Sequence, residues 1–381
     1  MWALQQIEGY QLAKKKLPQW AHLFAEGKDI HFPPHISMEQ CSSEATAKYK
    51  AAIINRELPI ANCQLSTINY QLLIDLTGGY GIDFSYMAPH FDKSIYVEKN
   101  EELCTIAKHN FELLGLHNTE VVNANCEEYL SHHVGVTPQT VIFLDPARRD
   151  SAGGKVYRIE DCTPNLVVLQ DSLFDIAHTV MVKLSPMLDI TQALRTLRNV
   201  SDIHIVSVKA ECKELLFIMH REEPASLTYH CVNLETEEEY FQHNTTSEPQ
   251  YDNVQVCRHI EPGTILFEPN ASILKAGLQD TFGAHYGLHK LHPNSNLYIG
   301  DAPIDHVPAR QFRIVAISDF SKSSIKNFLK DIKQANLTIR NFPSTVIHLR
   351  QRLKIKEGGN DYLFATTIAD DSHVLIRCVK E

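Results

Sequence analysis

The chain has no long apolar run, no Cys-x-x-Cys pair and no basic-then-apolar opening segment. Each absence excludes something. A membrane-spanning helix needs about 20 consecutive apolar residues; nothing of that length occurs, so no membrane partner is expected. Met1 to Gln19 is amphipathic and carries Lys14, Lys15 and Lys16, which is not the pattern of a secretory leader. The nine cysteines are scattered and odd in number, and they read as reduced thiols of a cytoplasmic protein. His285, His289 and His292 have the spacing of metal ligands, but Gly287 and Pro293 break the helix this would need. No acid or cysteine stands in register with them, so no metal is expected.

What is present is a chain of 381 residues, enough for two or three domains, with 44 % hydrophobic residues and a net charge of −10. The charge is uneven. From Ala309 onward there are 13 Lys and Arg against 7 Asp and Glu, so residues 1–308 carry −16. A basic module on an acidic body points to a local polyanion contact.

The stretch around which the chain is organised is Gln71 to Asp83, QLLIDLTGGYGID. Leu72, Leu73 and Ile74 read as a buried parallel strand ending on Asp75. Thr77, Gly78, Gly79, Tyr80 and Gly81 then form a turn ahead of a helix, so backbone N–H groups and a helix N-terminus face a ligand. A second strand, SIYVEKN, ends on Glu98, twenty-three residues after Asp75. An acid there accepts hydrogen bonds from both hydroxyls of a ribose.

Residues 1–65 read as helical, with Ser43 as a cap before the run to Leu58 and Pro33 and Pro34 fixing a loop. Beyond them, strands are predicted near 71–75, 94–98, 119–122, 140–144, 178–183 and 203–208. Helices fall between several of these, most clearly over Asn100 to Leu114. Alternating strands and helices predict an α/β sheet covered on both faces. HIVSVKA and ELLFIMHR are too close for a helical crossover, so the last strand should run antiparallel.

This arrangement resembles the class I S-adenosylmethionine-dependent methyltransferases over roughly residues 66–225. DLTGGYGID is similar to their first motif, Glu98 to their ribose-binding acid, NCEEYL to the adenine contact after the third strand, and VIFLDPARRD to their fourth motif. The resemblance implies S-adenosyl-L-methionine as cofactor, held by Asp75, Thr77, Gly78, Gly79, Gly81, Asp83, Glu98, Asn125 and Cys126. In it, Asp75 lies near the methionine amino group and Asn125 and Cys126 flank the adenine. Asp145, Pro146 and Arg148 are the implied catalytic residues. Asp145 accepts a proton or hydrogen bond from the target atom, and Arg148 meets a phosphate or base edge. Arg149 and Lys183 are further substrate-binding candidates, although a water-facing Lys183 reads equally well. The sequence departs from the pattern at Thr77, at Asn125 and at Arg148, where amino-directed enzymes carry an aromatic ring. Arg148 is closer to the Asp-Pro-Pro-Arg type of several RNA methyltransferases.

The C-terminal stretch predicts a strand at RIVAI, a helix from Ser323 to Ala335, a strand at LTIRNF, a further helix and two strands, YLFATTI and HVLIRCV. Ile325, Phe328, Leu329 and Ile332 form a core stripe, and Lys322, Lys326 and Lys330 line another. Lys354 and Lys356 precede a Gly-Gly turn and are candidate phosphate contacts. This tail resembles the THUMP-like domain of Porphyromonas-type methyltransferases, and EPNASILKAG, with Asn270 as a helix cap, resembles their ferredoxin-like domain.

The expected organisation is a helical cap (1–65), a Rossmann-like methyltransferase domain (66–233), a linker with a small ferredoxin-like domain (234–308) and a THUMP-like domain (309–381). The expected activity is methyl transfer to structured RNA, tRNA or rRNA. Two rivals share features of the chain. An NAD-dependent oxidoreductase has the glycine turn and the acid on the second strand, but position 84 is Phe rather than a third glycine, and DPARR has no place in that chemistry. A non-catalytic RNA-binding scaffold with a retained cofactor pocket is the other, opposed by intact Asp75, Glu98 and Asp145.

Overall fold

The N-terminal segment folds as helices α1 (Trp2–Lys16), α2 (Pro18–Ala25), α3 (His35–Gln40) and α4 (Glu44–Asn55) in a computed structural model. The model describes residues 2–55, 71–132, 137–147, 158–236, 240–246 and 254–381. Pro18 opens α2, where its missing N–H costs nothing. Ser43 caps α4 as expected, its hydroxyl accepting from Thr46 N–H at 3.3 Å. Leu17, Trp20, Phe32 and Met38 pack in one core with Tyr80, Ile82 and Ile106. The helical cap is thereby fixed on the glycine turn.

Strands and helices then alternate: β1 (Leu72–Asp75), α5 (Ile82–Met87), β2 (Lys93–Glu98), α6 (Glu101–Leu113), β3 (Thr119–Asn123), α7 (Cys126–His132), β4 (Thr137–Leu144), α8 (Leu166–Phe174), β5 (Ala177–Leu184), α9 (Ile190–Thr196), β6 (Val200–Val208) and β7 (Glu211–His220). The strand order runs β3-β2-β1-β4-β5-β7-β6. β1 through β5 pair in parallel, and β5 pairs with β7 antiparallel, Lys183 opposite Leu216. Only Lys209 and Ala210 separate β6 from β7, and both have positive φ (51° and 62°), the twist a two-residue hairpin requires. The α/β fold with an antiparallel last strand is the one read from the sequence, and the order reverses between β1 and β4. In open α/β sheets ligands bind beyond the strand C-termini at such a switch point.

Residue contacts divide the chain into two units, 1–208 with 213–230, and 209–212 with 231–381. The strands β8 (Thr228–Leu234), β9 (Phe241–Asn244) and β10 (Ile265–Pro269) are followed by α10 (Ala271–Ala276), α11 (Gln279–His285), β11 (His289–Lys290), β12 (Tyr298–Gly300), β13 (Ala309–Asp319), α12 (Lys322–Phe328), β14 (Asn336–Ile339), α13 (Val346–Leu353), β15 (Tyr362–Thr367) and β16 (His373–Lys380). In the second unit seven strands order as β11-β12-β10-β13-β16-β15-β14. Alternate residues of β15 and β16 face opposite cores: Phe364, Ile376 and Cys378 join Phe312 and Leu266, whereas Leu363, Ala365 and Leu375 join Leu349 and Leu353 of α13. The apolar stripe is core as expected, with Ile325 and Phe328 of α12 and Leu329 just beyond it packed against the second cluster, which holds the buried Ile332.

The helix expected to Ala335 ends instead at Phe328. Residues 333–335 are drawn into strand-like pairing, Lys356 N–H donating to Lys333 O at 3.0 Å and Ala335 N–H to Lys356 O at 2.9 Å. Sheet pairing thus competes with helix extension and takes the last turns. Asn270 stands at the N-cap of α10, but its side chain makes no cap hydrogen bond. Among the described residues no helix is long and apolar enough to cross a membrane.

Candidate functional site

Strand β1 delivers Asp75 to the start of the glycine turn, where it is 2 % exposed. Its Oδ1 accepts from Thr77 N–H at 2.9 Å. Burial pushes this carboxyl well above its ordinary value, with the charges of Asp83, Asp145 and Glu98 adding to the shift against the Thr77 hydrogen bond. The Thr77 hydroxyl in turn accepts from Asp145 N–H at 2.6 Å, which ties the ends of β1 and β4 together across the switch point.

Gly79 is gripped from β2 on both sides. Its N–H donates to Glu98 Oε2 at 2.9 Å and its carbonyl accepts from the Tyr96 hydroxyl. It has φ of 57°, and a Cβ there would meet nothing closer than Thr77 O at 3.8 Å, so the turn leaves room for a ligand to approach its backbone. Gly81 is also left-handed (φ 81°), and a Cβ would come within 2.7 Å of the Phe111 ring. The other oxygen of Glu98 accepts from Asn100 N–H at 2.9 Å. Each carboxylate oxygen therefore has a fixed direction and a lone pair to spare. Asn123 Nδ2 donates to Glu98 O at 2.9 Å, drawing the end of β3 to the same edge. Asn125 follows, its side-chain oxygen accepting from Glu128 N–H at 2.7 Å at the start of α7. Cys126 is buried there, and burial pushes its thiol up to about 12, which leaves it a packed thiol rather than a thiolate.

Two residues predicted at this site are tied to other charged side chains. Asp83, read as a cofactor ligand, is buried against other charges: Ser42 Oγ donates to it at 2.7 Å, Lys50 Nζ lies 3.2 Å away and Lys183 Nζ 3.7 Å. Burial pushes Asp83 up, but the two ammonium groups and Ser42 outweigh it and hold the carboxyl below its ordinary value. Lys183 does not face water: its side chain is 12 % exposed, donating to Asp145 Oδ2 at 2.5 Å and to Ser42 Oγ at 3.1 Å. Burial lowers its pKa, and Asp145 and Asp83 more than reverse this, so it stays an ammonium. Pro146 follows Asp145, and Ala147 pairs with Thr163 through two backbone hydrogen bonds of 2.7 and 3.0 Å, which pins the chain after the motif. Arg148 and Arg149 lie outside the described residues. Lys354 and Lys356 belong to the second unit and are exposed.

Sequence reasoning missed Lys50 and Glu214. Lys50, on α4, is fully buried and donates to Glu214 Oε1 of β7 at 2.5 Å. Nothing in AKYKAAI marks one lysine as internal. It also missed Asp29, His31 and His109, whose side chains approach one another closely enough to share an ion, with the two imidazole rings stacked at 3.8 Å. Of the histidines that were weighed as ligands, His292 instead contacts Asp371 at 3.0 Å, and His285 packs edge-on against Phe241 and Tyr286.

A family model described as THUMP domain-like matches residues 309–380, and one described as a ferredoxin-like domain matches residues 266–308. A crystal structure from Porphyromonas gingivalis W83, named provisionally as a methyltransferase, is similar at 34 % identity with a TM-score of 0.80, covering 99 % of this chain and 89 % of that one. An uncharacterized S-adenosylmethionine-dependent methyltransferase of Mycobacterium tuberculosis (strain CDC 1551 / Oshkosh) is 23 % identical over 337 residues, 87 % of this chain and 86 % of the relative. Its counterpart in strain ATCC 25618 / H37Rv matches equally.

Proposed function

We propose, for a chain that belongs to the family of the Porphyromonas gingivalis methyltransferase, that the methyl group is delivered to structured RNA, tRNA or rRNA. The protein is an S-adenosylmethionine-dependent methyltransferase. The cofactor, when bound, supplies an activated methyl group on a sulfonium. The residues of the glycine turn fit it: open space over Gly79, a fixed Glu98 carboxylate for the ribose hydroxyls and a buried acid, Asp75, for the methionine ammonium. Asn125 and Cys126 at the β3 edge would border the adenine. Asp145 at the end of β4 would meet the target atom. Asp83 drops out of the cofactor set and belongs to the support beneath it.

The RNA reading is carried by the exposed cations of the second unit. Lys333 and Lys356 are joined through their backbones, Arg352 and Lys354 adjoin them in the chain, and Lys322 and Lys326 project from α12. Residues 66–233 would perform the transfer and 309–381 would grip phosphates. The described cysteines are free thiols, which supports a cytoplasmic setting.

The test is calorimetric. S-adenosylmethionine binds wild type, NAD does not, and Glu98→Ala weakens cofactor binding at least about tenfold, a loss of about 1.4 kcal/mol. Labelled methyl transfer into total RNA then examines the substrate. Binding of NAD in preference, or label that never enters RNA, overturns the corresponding part of the reading.

A further inference from the structure

Lys50, Glu214, Asp83 and Lys183 form a string of alternating charge that ends on Asp145. It draws on α4, β7, α5, β5 and β4. Lys50 and Glu214 are 0 % and 4 % exposed, Lys183 12 % and Asp145 37 %. Burying an ion costs several kcal/mol even after relaxation, and apolar residues would fasten a helix to a sheet without that cost. What the string accomplishes is to set one ammonium against its single solvent-reachable carboxylate, at the sheet edge where ligands bind.

We infer that the Asp145–Lys183 pair directs methyl transfer to a hydroxyl group, the ribose 2′-hydroxyl of RNA, rather than to a base nitrogen. The inference rests on the RNA reading above. A nitrogen gains positive charge as it takes a methyl group, and an adjoining ammonium opposes that. A hydroxyl oxygen acquires alkoxide character as its proton departs, and the same ammonium stabilises it. The charge balance favours the second case. Lys183 stays an ammonium and stands 2.5 Å from Asp145, beside the oxygen that loses its proton.

Donor counting agrees. The Lys183 ammonium has three N–H groups. One goes to Asp145 Oδ2 and one to Ser42 Oγ, and Asp83 at 3.7 Å is too distant for a hydrogen bond. Among the described residues nothing takes the third, which is left for a substrate oxygen. Asp145 Oδ1 is left to accept the hydroxyl proton. An oxygen lone pair forms the new carbon–oxygen bond, the carbon–sulfur bond breaks with its electrons retained on sulfur as a neutral thioether, and the O–H proton passes to Asp145. The internal hydroxyl of an RNA chain is the ribose 2′-OH. Lys50 and Glu214 act through Asp83 and are positioning residues.

The full-length enzyme is incubated with methyl-labelled S-adenosylmethionine and unmodified rRNA and tRNA transcripts, and the RNA is digested to nucleosides for mass spectrometry. Label on ribose supports the inference. Label on a base overturns it and leaves the RNA reading standing, and no label in RNA removes that reading and this inference with it. Asp145→Asn keeps an acceptor for Lys183, and we expect it to lower kcat about 100-fold or more while calorimetric affinity for S-adenosylhomocysteine is retained. Glu214→Gln should lower kcat with KM for RNA unchanged. Full turnover in Asp145→Asn, or a Glu214→Gln variant whose only change is a lower melting temperature, contradicts the assignment.

Discussion

Asp75 sits in the turn as a buried acid whose pKa is pushed well up, chiefly by burial. An ammonium placed beside it favours the carboxylate, so cofactor binding should release a proton. The sign follows from linkage. Between the ordinary carboxyl value of about 3.9 and the raised value, free enzyme holds a proton that the complex does not, so affinity rises with pH across that window and levels off above it. Calorimetry in buffers of different ionisation enthalpy measures the released proton directly. Asp75→Asn should abolish the buffer dependence, and buffer-independent heats in wild type would place the ammonium elsewhere.

Helix α4 shows where reading the sequence succeeds and where it stops. The strands, Asp75, Glu98 and Asp145 were legible because apolar runs ending on an acid are local patterns, and the α6 helix because Asn100 caps it through Glu102 and Leu103 N–H groups. The inward face of α4 was not legible, because Tyr49 and Lys50 find partners on β6 and β7 more than 150 residues away. The Tyr49 hydroxyl lies 2.8 Å from His204 Nδ1, and His204 stacks on His230, which contacts Asp202 at 2.7 Å. Burial and the adjoining His230 hold His204 well below its ordinary value, so it is neutral. Tyr49→Phe leaves a buried ring nitrogen without that hydroxyl and should cost about 1–3 kcal/mol in chemical denaturation. A change within error would show that α4 is held by its other contacts alone.

For the whole molecule, the lysines differ in how far they are exposed. Lys50 and Lys183 of the first unit are held internally by carboxylates, as is Lys290 of the second, whereas Lys322, Lys326, Lys354 and Lys356 of the second unit are exposed. On the RNA reading proposed above, RNA affinity should fall linearly in log–log form with salt, each phosphate contact adding about 0.7 to 0.9 to the slope. Replacing Lys322, Lys354 and Lys356 by Ala should flatten the slope by about 2 to 3 and leave cofactor affinity unchanged. A slope unaltered by the triple variant would move the RNA contact to another surface.

The buried string of charges also bears on how the chain can be made. Its members enter in the order Lys50, Asp83, Asp145, Lys183 and Glu214, so the acid nearest Lys50 is synthesised last. A chain emerging from the ribosome as far as β6 can set Lys50 against Asp83 at 3.2 Å, while its nearer counter-ion, Glu214 at 2.5 Å, is still to come, and each buried ion left with fewer partners is costly. The charge string is then complete only when β7 is available. The β6–β7 hairpin therefore supplies the last ion of the string, and the chain must be made that far before α4 can take its full set of partners.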